Sequence, residues 1–198
     1  KLGKYLNRDC LNVDNVIHDL IKFCNTVPRL PSSEKKFIEV EPVDLDGVSS
    51  SQDVIRRLEE LRHVNKTADL AFSAFRDLSR SPVKPFLKAA FERNPVSVFG
   101  LKNSNINQIY DQLCKITNES IYSESTRVAQ PDEVYNYNRG DGLEKALLFI
   151  NILKNRFTEE PVSIECKNNS VLSVTFKDNS YCFETKKTVD IDSVNRNI

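Results

Sequence analysis

The stretch from Gly140 to Arg156, GDGLEKALLFINILKNR, constrains the fold more than any other part of this sequence. Leu143, Ala146, Leu147, Ile150 and Leu153 recur at helical spacing, and Leu148, Phe149 and Ile152 widen the stripe almost all the way round. A helix apolar on nearly every side belongs inside a core. Asp141 is placed to cap its first turn, with Glu144 three residues on where a capping partner sits. Lys154 and Arg156 suit the negative end of the helix dipole. The rest of the chain must therefore wrap around this one element.

After that helix the period changes from helical to alternating. Val162, Ile164 and Cys166 alternate with polar residues, as do Leu172, Val174 and Phe176, and then Tyr181 and Phe183. Asn168-Asn169 and Asp178-Asn179 supply turns, so the pattern predicts a three-stranded antiparallel meander. Before it the pattern is helical. Val13, Val16, Ile17, Leu20, Ile21 and Cys24 predict a helix over 12–26, stopped by Pro28 and Pro31. Lys36 to Val40 reads as a short strand and Asp44 to Ser51 as a loop. Ser50 with Asp53 opens a helix to about His63, burying Val54, Leu58 and Leu61.

A further helix is expected from Lys66 to Ser79, burying Ala71, Ala74, Phe75 and Leu78. Ser81-Pro82 reads as an N-cap with proline at the first helical position. That helix buries Phe86, Leu87, Ala90 and Phe91 and ends before Asn94-Pro95. Val96 to Phe99 reads as extended, and Ser104 as the cap of a helix through Ile106, Ile109, Tyr110, Leu113 and Ile116. Thr117 to Asn138 is a long polar loop, and the tail from Asp190 is expected to fray. The fold class is α+β: a helical N-terminal region, then a buried helix on the meander. The expected division is a mainly helical region over 1–120, the helix and meander over 121–190, and a tail over 191–198.

Composition narrows the function classes. The chain has 198 residues, with 28 basic and 28 acidic side chains and no net charge. Nothing in that balance favours nucleic acid or an anionic membrane. No apolar run reaches the roughly 18 residues of a membrane span, and the first residues, KLGKYLNRDC, lack a signal-peptide pattern. Lys1 leads a chain without methionine, so an excised or processed fragment is expected. The five cysteines, Cys10, Cys24, Cys114, Cys166 and Cys182, are odd in number, irregularly spaced and form no CxxC, which predicts neither a disulfide framework nor a zinc site; no metal or cofactor is expected. Structural thiols in a reducing, cytoplasmic compartment are expected; Cys166 and Cys182, on strands of one sheet, could pair if the compartment is oxidising.

The central stretch also carries a motif. Pro131-Asp132-Glu133-Val134 leads into Gly140-Asp141-Gly142-Leu143-Glu144-Lys145-Ala146-Leu147-Leu148. This resembles the Pro-x-Glu and Gly-Asp-Cys-x-Asp/Glu-x-Ala pattern of transglutaminase-like domains, which share the papain-like cysteine core. The likeness covers about residues 128–190. Gly142 stands where the resemblance places the nucleophilic cysteine. Strands after the helix would supply a histidine, near Leu172 or Ser173, then an acid. The sequence has no histidine after His63; Glu184, or else Asp190, would take the acidic place. The resemblance thus implies a degenerate, non-catalytic domain whose partner is another protein. On that reading a cysteine placed at Gly142 would be activated by the helix end, yet would lack a base.

A second reading takes the exposed N–H groups at Gly140, Asp141 and Gly142, with Arg139, as a cradle for a small anionic sugar or nucleotide. Tyr122, Tyr135 and Tyr137 would then line or cover a groove. A rearranged cysteine site pairing His63 with Cys114 is a third. His18 reads as a solvated surface residue, and Arg139-Gly140-Asp141 as a chance adhesion tripeptide. The sequons at Asn65, Asn118 and Asn168 are expected by chance in so asparagine-rich a chain.

Overall fold

A computed structural model of the chain describes residue 39, residues 41–167 and residues 170–198. Glu39–Ile198 form one unit. The helix expected over 12–26, the strand expected over Lys36–Val40 (all but Glu39), His18, Cys10, Cys24 and the Asn168-Asn169 turn lie outside the described residues. The described elements are α1 (Ser51–Leu61), α2 (Lys66–Phe75), α3 (Val83–Glu92), α4 (Pro95–Gly100), α5 (Ile106–Lys115), α6 (Pro131–Tyr137) and α7 (Gly142–Arg156). They continue as β1 (Val162–Cys166), β2 (Val171–Phe176), β3 (Asn179–Glu184) and α8 (Ile191–Arg196). The fold is α+β, with helices preceding a three-stranded antiparallel meander in the order β1-β2-β3.

Twelve consecutive residues of α7, from Gly142 to Leu153, are buried. Each fully buried leucine or isoleucine contributes about 1.5–3 kcal/mol, so this helix anchors the core. Register sets Ile164 opposite Val174 and Val174 opposite Tyr181, with Leu172 opposite Phe183. These side chains share one sheet face, and that face is buried against α7. Phe149 of α7 meets the ring of Tyr181 at 4.8 Å, and Tyr110 of α5 joins them at 5.1 Å from Tyr181. Helices α3, α4 and α6 cover the other side of α7. Ser163, Glu165, Ser180 and Cys182 occupy the opposite, polar sheet face.

Both sheet edges are occupied by side chains. The Tyr110 hydroxyl donates to the Cys182 carbonyl at 3.0 Å and accepts from the Cys182 N–H at 3.3 Å. Asn118 Nδ2 donates to the Glu184 carbonyl at 3.1 Å. On the far edge, the Ile164 N–H donates to Asn195 Oδ1 at 3.0 Å.

Several local expectations are corrected. Helix α2 stops at Phe75, not Ser79, because Arg76 turns left-handed (φ 62°) and Asp77 then accepts from the N–H and hydroxyl of Ser79. It buries Ala68 and Phe72 and exposes Ala74 and Phe75, and in α1 Val54, Leu58 and Leu61 are only partly covered. Pro82, not Ser81, is the N-cap of α3; the Ser81 hydroxyl donates to the Asp77 carbonyl instead. Asn105, not Ser104, caps α5. Val96 to Phe99 is helical, not extended, because Asp132 reaches across to accept from the N–H groups of Val96 and Ser97 at 3.0 and 2.8 Å. The loop expected over Thr117–Asn138 contains α6, started by Pro131 and a Gln130–Glu133 capping box. The tail does not fray: α8 buries Val194, capped by Asp190. Cys166 and Cys182 are free thiols. They lie on β1 and β3 with β2 between them, and the register puts them on opposite faces of the sheet. Two strand spacings, roughly 9.5 Å, exceed what a disulfide spans.

Candidate functional site

The start of α7 is where the motif residues gather. Asp141 adopts an extended conformation (φ −66°, ψ 161°) and caps the helix in a full capping box with Glu144. Its Oδ1 accepts from Leu143 N at 3.0 Å and from the Thr185 hydroxyl, and its Oδ2 accepts from Lys186 N at 2.7 Å. Asp141 therefore serves two elements, ending the entry loop and fastening the chain that leaves β3.

Glu144 is completely buried. Its Oε2 accepts from Asp141 N at 2.9 Å, and its Oε1 from Ala129 N at 2.8 Å and the Ser120 hydroxyl at 2.6 Å. Lys187 lies 3.7 Å from Oε1, with side-chain exposures of 4% and 0% for the pair. The Lys187 ammonium also donates to the carbonyls of Tyr122 and Glu124, at 3.2 and 2.8 Å. Lys145, likewise buried, donates to the Ile116 carbonyl at 2.9 Å. Burial pushes its pKa down, while the charges of Cys114 and Asp141 work against that shift. Two buried acids and two buried lysines thus sit around one helix start. Such ions are tolerable only when paired or well hydrogen-bonded: Glu144 and Lys187 pair with each other, while Asp141 and Lys145 are held by hydrogen bonds.

Gly142 is closed off from solvent by backbone. A Cβ built there would lie 2.0 Å from the Glu184 carbonyl oxygen and 3.0 Å from Thr185 N. The expectation of a cysteine at 142 presenting an activated thiol is therefore corrected: no side chain fits unless the end of β3 moves. Leu172 is buried in the core, and Ser173 faces the other way to meet the Ser180 hydroxyl at 2.6 Å. The Glu184 side chain is exposed, and Asp190 caps α8 through Ser193 N at 3.0 Å.

The other candidate residues do not converge. Arg139 is paired with Glu119 at 2.8 Å, and Gly140 N donates to the Thr117 carbonyl at 3.1 Å. Asp141 N and Leu143 N are engaged as well, within the cap of α7. Tyr122 hydrogen-bonds Glu133 at 3.0 Å, and Arg127 stacks 3.8 Å from its ring centroid. Glu133 also binds Arg76 through both oxygens. Burial alone would raise the Glu133 pKa, but the hydrogen bonds from Arg76 and Gln130 hold it below the ordinary value. The Tyr135 ring presses on Gly100, where a Cβ would meet its hydroxyl at 2.2 Å. Tyr137 is 65% exposed. His63 is exposed in the turn after α1, and Cys114 is exposed at the end of α5.

A cavity of about 190 Å³ lies beside Asp141, bordered by Asn118, Glu119, Ser120, Tyr122, Lys186 and Lys187. Among the described residues no three His, Cys, Asp or Glu side chains come together as a metal site requires, and no helix is long and apolar enough to cross a membrane. Sequence reasoning missed Lys187 and Thr185. Nothing local in Thr185-Lys186-Lys187-Thr188 marks a buried ion, and only the third dimension shows that Lys187 turns inward. The chain matches no family model, no curated protein and no solved structure.

Proposed function

We propose that this chain is a catalytically empty transglutaminase-like domain that acts in protein interaction or architecture. The observation that carries the non-catalytic part of the reading is the closed slot at Gly142. In a cysteine acyltransferase that position must present a thiolate to substrate with a base in reach. Here the backbone of Glu184 and Thr185 fills the space, and the nearby polar groups of Asp141, Glu144, Thr185 and Lys187 serve one another. The motif residues support the resemblance, as does a helix packed on an antiparallel meander. The test is amine incorporation: the folded chain is incubated with a glutamine-donor peptide and a fluorescent amine, with and without prior thiol alkylation. No turnover is expected. Turnover abolished by alkylating Cys114, Cys166 or Cys182 would overturn the reading.

The cavity beside Asp141 favours a second reading, a site for a small polar ligand, with Tyr122 and Lys186 at its border. It predicts that phosphate or acetate raises the Tm and that Lys186→Ala removes the rise. An unchanged Tm in both proteins would eliminate it.

A further inference from the structure

We infer that the groove between α2 and α3 docks a peptide segment carrying a large apolar side chain beside a carboxylate. The inference rests on the interaction reading above and names the partner's chemistry. The cavity there measures about 340 Å³, near the lower end of the range for clefts that hold a ligand. Its apolar lining comes from Ala74, Pro82, Pro85, Phe86 and Ala89. Helix α3 and two prolines make these walls stiff, so an occupant would lose little affinity to ordering them.

The rim supplies the charge argument. No aspartate or glutamate lines the groove, whereas two arginines do. Arg76 is already bound by Glu133 and Tyr122. Arg93, which ends α3, is exposed and makes no side-chain hydrogen bond, ion pair or ring contact among the described residues. Gln130 also lines the groove; its Oε1 accepts from Asn94 Nδ2 at 2.9 Å, which leaves its amide N–H groups as donors. The rim is thus rich in donors and carries one uncompensated guanidinium, next to an apolar floor. A carboxylate suits that guanidinium in charge and in fork geometry. An apolar side chain next to it would fill the floor.

The experiment is selection from a random linear peptide library displayed against the full chain. The best peptide is then fluorescein-labelled and measured by anisotropy. Enriched peptides should place Asp or Glu within two residues of Leu, Ile or Phe. Arg93→Glu should weaken binding by about tenfold or more, as truncated or reversed interface charges do, and Ala89→Arg, which fills the floor, should abolish it. Both variants should keep the wild-type Tm, which separates lost binding from lost folding. Peptides without an acid, or binding that neither variant changes, would overturn the groove while leaving the interaction reading in place. No enrichment would overturn the groove as well. Binding to phosphatidylserine vesicles that Arg93→Glu removes, without peptide enrichment, would assign the groove to a membrane and overturn the peptide. Failure of the non-catalytic reading shows separately, as turnover in the amine-incorporation assay.

Discussion

The start of α7 and the groove between α2 and α3 both hold charged residues, yet they are opposite kinds of place. Around Asp141 and Glu144 each charge has a hydrogen-bond or ion-pair partner a few ångströms away, and the strand backbone closes the space at Gly142. In the groove the walls are apolar, the cavity is open, and Arg93 has no partner among the described residues. Dense mutual satisfaction marks where a fold is held together. Unanswered polarity beside apolar surface marks where something else can bind. A motif in the first kind of place, however suggestive, is more informative about architecture than about chemistry.

The sharpest way to break this contrast is at Lys187. Removing one member of a buried ion pair leaves the other charge stranded, so Lys187→Met should cost about 3–5 kcal/mol in urea unfolding. Glu144→Gln combined with Lys187→Met should cost less than the two single changes added together. Additive losses would show that the pair does not act as a unit. Next is Gly142→Ala, where the added Cβ meets the Glu184 carbonyl. A loss of about 3 kcal/mol is expected from such overpacking. A fully stable Gly142→Cys protein whose new thiol alkylates quickly would reopen the slot to chemistry.

Asp77 offers a pH test. Burial raises its pKa, but hydrogen bonds from Ser79, Thr126 and Arg80 outweigh that and bring it down to about 2 from 3.8. A folded-state pKa below the unfolded one gives stability that is full above about pH 4 and lost as pH falls through 2. The gain is about 2 kcal/mol. Asp77→Asn should therefore be less stable than wild type at pH 6, with the gap closing towards pH 2. A gap independent of pH would assign the effect to shape rather than charge. The smallest effect belongs to the groove: Arg93→Ala should change stability by no more than about 0.5 kcal/mol. A large loss of Tm there would mean that Arg93 is structural after all, and the contrast would collapse.

The elements readable from sequence are those whose determinants are local. Helix α7 announces itself through its own spacing and its own Asp141–Glu144 box, and the strands through alternation. Helix α4 was misread because its cap comes from Asp132, more than thirty residues on, while Asn94 Oδ1 in return accepts the Asp132 N–H. No window along the chain contains both halves of that exchange. Helix α6 is different: Pro131 and the Gln130–Glu133 box were legible, but the polarity of the surrounding loop masked them. At the candidate site, sequence located Asp141, Gly142 and Glu144 together. It could not show that Gly142 is glycine because β3 passes against it, since that contact joins residues some forty positions apart.

The Tyr110 hydroxyl, which donates to and accepts from the same residue of β3, has one more consequence. An open strand edge is a template on which a second chain can extend the sheet. At Cys182 the phenol mimics such a neighbour, offering one donor and one acceptor at the position an invading backbone would need. With Asn118 on the Glu184 carbonyl and Asn195 on the opposite edge, the meander is terminated by side chains on both sides. Each of these contacts occupies an edge group that a fourth strand would otherwise use.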